Sequence, residues 1–141
     1  MLSKILNPVK AHDNAVTLLT ASFATDNAVG EIDTATFVGK GFTPRTGGAP
    51  ASPVAGDVFR VSAGRWRFIL PGTGGVTVLH ASANLREAAP TDRFCKVSVV
   101  TGSTRTVEVV CWDVSGLAAT DPADTDVVEL LVVLKNSNLQ S

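Results

Sequence analysis

Four aspartates, Asp113, Asp121, Asp124 and Asp126, fall within the segment DVSGLAATDPADTD between two β-rich runs. Carboxylates at this density are the hard oxygen ligands that calcium takes. The spacing is not that of an EF-hand loop, which alternates its carboxylates, turns at a glycine and closes on a distal glutamate. With Pro122 in its middle, Ala118–Asp126 reads as a solvated connection between strands, with no metal and no catalytic role. Other reactive side chains are scattered. His12 and His80 are far apart, and His80 alternates with Leu79 and Ala81 as a surface or satisfied imidazole would in a strand. Ser62, Ser82 and Ser98 lack the G-x-S-x-G setting of an activated serine. GTGG at Gly72–Gly75 has neither the Lys-Ser/Thr nor the helix that a phosphate loop needs. Arg60, Arg65 and Arg67 lie among aromatics, a composition found in single-strand nucleic-acid grooves. However, Arg65 and Arg67 alternate with Trp66 and Phe68, which is the period of a half-buried strand. The sequence therefore assigns no catalytic residue, no cofactor site and no metal ligand.

The two cysteines carry a positional signal. RFCKVSVV and RTVEVVCW flank TGST, a hairpin turn centred on Gly102–Ser103. Folding there sets Cys95 opposite, or nearly opposite, Cys111, at a separation where sulfurs meet. Two reduced, packed thiols are the first reading and a cross-strand disulfide the second. Zinc would need further ligands, and His12 and His80 are too distant to supply them.

The elements that must hold these residues are strands. The chain has 141 residues, enough for one domain with a real core. It is 45% hydrophobic and only 18% charged, with a mean hydropathy of +0.24. Charge this sparse implies a large core or surface hidden in an assembly. A formal net charge of −1 gives no global field to attract nucleic acid or anionic lipid. No apolar run is long enough to span a bilayer. The opening MLSKILNPVKAHDNA is interrupted by Lys4, Asn7, Pro8 and Lys10 and is not a signal peptide, so assembly in a cytoplasm is expected.

Strands are expected at Ala15–Ala24, Ala35–Phe42, Asp57–Ala63, Arg65–Leu70, Val76–Leu85, Arg93–Val100, Arg105–Trp112 and Val127–Ser137. Ala63–Gly64 forms a tight turn between two of them. The last run is almost continuously apolar and fits a strand covered on both sides. The Pro- and Gly-rich stretch Thr43–Gly56 is a surface loop that cannot join a sheet interior. About eight short strands predict an all-β, single-domain antiparallel sandwich or jelly roll over residues 15–141. Residues 1–14 would form an N-terminal arm that reaches a neighbour, with at most a short helical turn at Leu2–Leu6.

One pattern runs through Asn7–Pro8, the strand LLTASFA (Leu18–Ala24), the hairpin VFRVSAGRWRFIL (Val58–Leu70) and HASANL (His80–Leu85). It continues through V-x-V-x-x-W-D-x-S-G-x-A-A-x-D-x-A, from Val107 to Ala123, into LLVVLKNS. In these residues the chain resembles a family of small structural proteins of tailed bacteriophages. These positions span most of the chain but are strand and turn residues, and none is catalytic. The chain departs from the pattern in its longer Thr43–Gly56 segment and its two cysteines. The resemblance implies a capsid cement or decoration protein, not an enzyme. It would bind the major capsid protein on the virion, assemble as a homotrimer and contact neither nucleic acid nor membrane. The alternative is a carbohydrate-binding β-module of a tail fibre or receptor-binding protein. Sugar platforms need exposed Trp or Tyr, and this chain has two Trp and no Tyr.

Three local expectations follow. Val127–Leu134 should be mostly buried, with Glu129 pointing outward or meeting a basic partner. Asn at Asp121, Asp124 and Asp126 together should leave folding and assembly nearly intact. Asp at Leu131 or Val133 should cost several kcal/mol and abolish assembly.

Overall fold

A computed structural model describes residues 16–26, 30–73, 76–101 and 104–135. The proposed arm, the turn at Leu2–Leu6, His12 and the hairpin centre Gly102–Ser103 lie outside the described residues. Among the described residues there are nine strands: β1 Val16–Ala24, β2 Thr43–Pro44, β3 Asp57–Ser62, β4 Arg65–Ile69, β5 Thr77–Arg86, β6 Arg93–Thr101, β7 Thr106–Asp113, β8 Ala118–Ala119 and β9 Val127–Lys135. They form two sheets, β1-β9-β5 and β2-β3-β4-β7-β6, with β8 attached to β7. Every pairing except the short parallel contact of β2 with β3 is antiparallel. The protein is an all-β sandwich, as its spacing of strands and turns predicts.

The core lies between the sheets because alternation sends every second side chain there. Ala21 and Phe23 of β1 and Val128, Leu130, Val132 and Leu134 of β9 face Trp66 and Phe68 of β4 and Val107, Val109 and Cys111 of β7. Aromatic edges lock the layers: Phe23 meets Trp66 with ring centroids 5.5 Å apart, and Phe42 meets Phe68 at 5.7 Å. Arg65 and Arg67 point away from this core, so their alternation with Trp66 and Phe68 is the two-faced strand read from the sequence.

Gly64 makes the β3–β4 turn with φ +67°, and a Cβ there would lie 2.5 Å from the Thr120 nitrogen. Only glycine supplies both the left-handed backbone and the close approach. Its carbonyl accepts the Cys111 N–H at 2.7 Å, which ties the turn to β7.

Two expectations need correction. Ala35–Phe42 is not a strand; its backbone pairs with β1 at an isolated bridge between Ser22 and Val38, while the Thr36 hydroxyl accepts the Ala24 N–H at 2.9 Å and Phe37 stacks on Phe23. Local hydrogen bonds compete with pairing here: the Asp33 carboxylate accepts the Ala35 N–H, and the Thr36 hydroxyl bonds the Asp33 carbonyl. Gly41, at φ +85°, then breaks the run. The second correction concerns β9, which is not covered on both sides. Val128, Leu130, Val132 and Leu134 are buried, whereas Val127, Glu129, Leu131 and Val133 are half-buried on the outer face. The penalty for a buried charge therefore belongs to Leu130 and Val132, not to Leu131 and Val133. Glu129 does point outward and meets Arg86 at 2.9 Å.

Candidate assembly surface

The aspartate segment is a connection, but it is more firmly built than a solvated loop. Asp113 receives the Ser115 hydroxyl at 2.6 Å and the Ser115 N–H at 2.9 Å. Those two hydrogen bonds lower its pKa. Asp121 accepts the Gly64 N–H at 2.7 Å and the Arg60 guanidinium at 2.8 Å, joining the loop to the β3–β4 turn. Gly30 packs so tightly on this carboxyl that a Cβ would approach it to 2.3 Å. Asp126 is buried and accepts the backbone N–H of Ala88 at 3.0 Å and of Ala123 at 3.3 Å. Asp121 and Asp126 therefore replace backbone partners that their neighbours lack. This corrects the expectation that amides at all three positions would be harmless. Asp124 lines a polar cavity of about 310 Å³ with Thr25, Asp26 and Asp33. Among the described residues, no three His, Cys, Asp or Glu side chains form a group able to hold a metal.

Among the described residues, the serines, His80 and the arginines do not converge on one site. Ser62 ends β3, Ser82 lies on the outer face of β5, and Ser98 sits at the β6 bulge with its hydroxyl 3.4 Å from Glu108. His80 is exposed opposite Val133. The arginines do not form an open basic stripe. Arg65 and Arg67 both reach Glu108 at 3.1 Å, and Arg60 takes Asp121. Trp66 is enclosed in the core, and Lys96 lies 5.2 Å over the Trp112 ring.

The outer face of β1-β9-β5 is different. Register places Leu18 beside Val133, Thr20 beside Leu131 and Ser22 beside Glu129. On the other side of β9, His80, Ser82 and Asn84 flank the same three residues. Leu18 is 66% exposed and Val16 37%. The bulge between Val78 and His80 also leaves Leu79 in water, at 53%. The short side chains Thr20, Ser22 and Ser82 leave a depression of about 520 Å³ bounded by Val38 and Asn84. This is an apolar strip with a polar border, the composition of a surface that docks on another protein.

Reasoning from the sequence did not single out this face, although its signal was present. VVELLVVL carries one polar residue in eight, so both faces of the strand are apolar. In a two-layer sandwich only one of them can reach the core.

Comparison with family models, curated proteins and solved structures finds no match to this chain. Among the described residues, no helix is long and apolar enough to cross a membrane.

Proposed function

We propose that this protein is a structural virion protein of a tailed bacteriophage, a cement or decoration protein that binds the outer capsid surface and stabilises the shell. The observation that carries this reading is the outer face of β1-β9-β5, where exposed Leu18 and half-buried Leu131 and Val133 form an apolar strip that no strand of the described residues covers. A rigid sandwich with a pre-formed apolar face can bind a lattice of identical neighbours without first becoming ordered. The residue pattern shared with phage structural proteins points to the same role. The major capsid protein is the partner, and a homotrimer suits the local threefold positions of a shell. Nucleic acid and membrane are not partners in this reading. The carbohydrate-binding alternative has weaker support, because Trp66 is enclosed and Trp112 is occupied by Lys96.

The test is to mix purified protein with capsid shells that lack it, then image the particles by electron cryo-microscopy. Density at threefold positions on the outer surface is expected, together with a trimer by light scattering. A monomer at micromolar concentration that leaves shells undecorated overturns the proposal.

A further inference from the structure

Cys95 and Cys111 are direct partners in the β6–β7 register. Cys111 spends both backbone groups on the opposite side: its N–H goes to the Gly64 carbonyl at 2.7 Å, and its carbonyl accepts the Thr120 N–H at 2.9 Å. In an antiparallel strand the N–H and C=O of one residue point the same way, so the two cysteines form a non-hydrogen-bonded pair. Such pairs hold their Cα atoms about 4.5 Å apart, with side chains closer than in the hydrogen-bonded kind. That spacing lies inside the range of about 4.4–6.8 Å that disulfides span. Both side chains face the core and both are free thiols.

From this geometry we infer that Cys95–Cys111 is a modification site, which a hydroperoxide converts to an intramolecular cross-strand disulfide without unfolding the sandwich. Cys95 lies on β6, at the margin of its sheet, and keeps 7% exposure, whereas Cys111 is fully enclosed. A water-sized oxidant therefore has an approach that a larger disulfide reagent lacks. Interaction with Cys111 and burial push the Cys95 thiol far up, while interaction with Cys95 pulls the Cys111 thiol down. The pair thus releases its first proton more readily than its second.

The thiolate attacks one peroxide oxygen, the O–O bond breaks, and hydroxide leaves as a sulfenic acid forms. The second sulfur then attacks the sulfenic sulfur and the S–O bond breaks. The departing oxygen takes up the remaining proton as water. Two thiols and one hydrogen peroxide become one disulfide and two waters. The chemistry is set by the hairpin and does not require a capsid.

The experiment treats the folded chain with hydrogen peroxide and reads its intact mass. The expected product has lost two hydrogens and gained no oxygen. Tryptic digestion should link the peptide containing Phe94–Lys96 to the one containing Thr106–Lys135. The thermal midpoint should rise by several degrees and return on reduction. Cys95→Ala, its fold checked by circular dichroism, should give no loss of hydrogen. Oxygen addition without hydrogen loss, disulfide-linked dimers, or an unchanged mass would each overturn the inference.

Discussion

The two outer faces of the sandwich solve the same problem differently. On the six-stranded sheet, Glu108 is nearly buried beneath Arg65 and Arg67, and Lys96 lies over Trp112. Long cationic side chains cover apolar surface there while their heads stay wet. Its exposed apolar residues are Val61 on β3 and Phe94, Val99 and Val100 on β6, the strand at the margin of the sheet. On the three-stranded sheet, the corresponding outward positions run Val16, Leu18, Thr20 and Ser22 on β1 opposite Lys135, Val133, Leu131 and Glu129 on β9, the latter apolar in the middle and polar at the ends. Among the described residues its one ion pair, Arg86–Glu129, stands toward one end. A face sealed by its own charges is finished as a monomer surface. A face of leucine and valine keeps apolar surface in water, which is the basis of the docking role proposed for it.

The sharpest test uses neighbours on β9. Val132→Asp places an unpaired carboxylate in the core and should destabilise by more than about 4 kcal/mol, leaving little folded protein. Leu131→Asp, one residue away, should cost only about 1 kcal/mol in urea unfolding yet abolish binding to shells. If both variants unfold alike, the outer face is a core face and the contrast fails.

A smaller loss is expected at the loop that clamps the sheets. Asp121→Ala removes the acceptor of Gly64 N–H and the partner of Arg60, and should cost about 1–3 kcal/mol by chemical denaturation. Asp126→Asn should fall in the same range, because its buried carboxylate serves two backbone N–H groups.

The sealed side should also carry an acid-sensitive component. Burial alone would raise the pKa of Asp57, but hydrogen bonds from the Val54 N–H and Arg45 outweigh it and lower the pKa below 3.8. A carboxylate with a depressed folded pKa adds stability above its unfolded pKa, and that stability disappears as pH falls through the folded value. Urea midpoints should therefore drop as pH is taken below 3.8. Asp57→Asn should flatten that part of the profile. The smallest effect belongs to the exposed pair: Arg86→Ala should change stability by less than about 1 kcal/mol and lose even that in high salt.

Local pattern made much of this fold readable. Trp66 and Phe68 against Arg65 and Arg67 show a two-faced strand within four residues. The turn spacing between the cysteine strands brings Cys95 to within one residue of its partner Cys111, and the bulge between Val97 and Val99 is what that spacing does not show. Competition and distance obscured the rest. Ala35–Phe42 has strand composition, but Asp33 and Thr36 capture its backbone before a sheet can. Asp121 looks like a solvated loop residue because its partner Gly64 is 57 positions away. The apolar run of β9 was visible, yet nothing local shows that one side of it faces outward.

The position of β9 between β1 and β5 also dictates an order of events during synthesis. The first strand described pairs along its whole length with the last, Val16 with Lys135 through Ala24 with Val127. While the chain is being made, β1 and β5 have left the ribosome without the strand that joins them. The six-stranded sheet has all its members by Ala119 and can assemble in advance. The three-stranded sheet closes only after Lys135 emerges, through contacts of the longest sequence separation among the described residues, which are the slowest kind to form. Until then Phe23 and the apolar residues of β5 remain open to other nascent chains, so aggregation during expression should depend on how quickly the final strand is released.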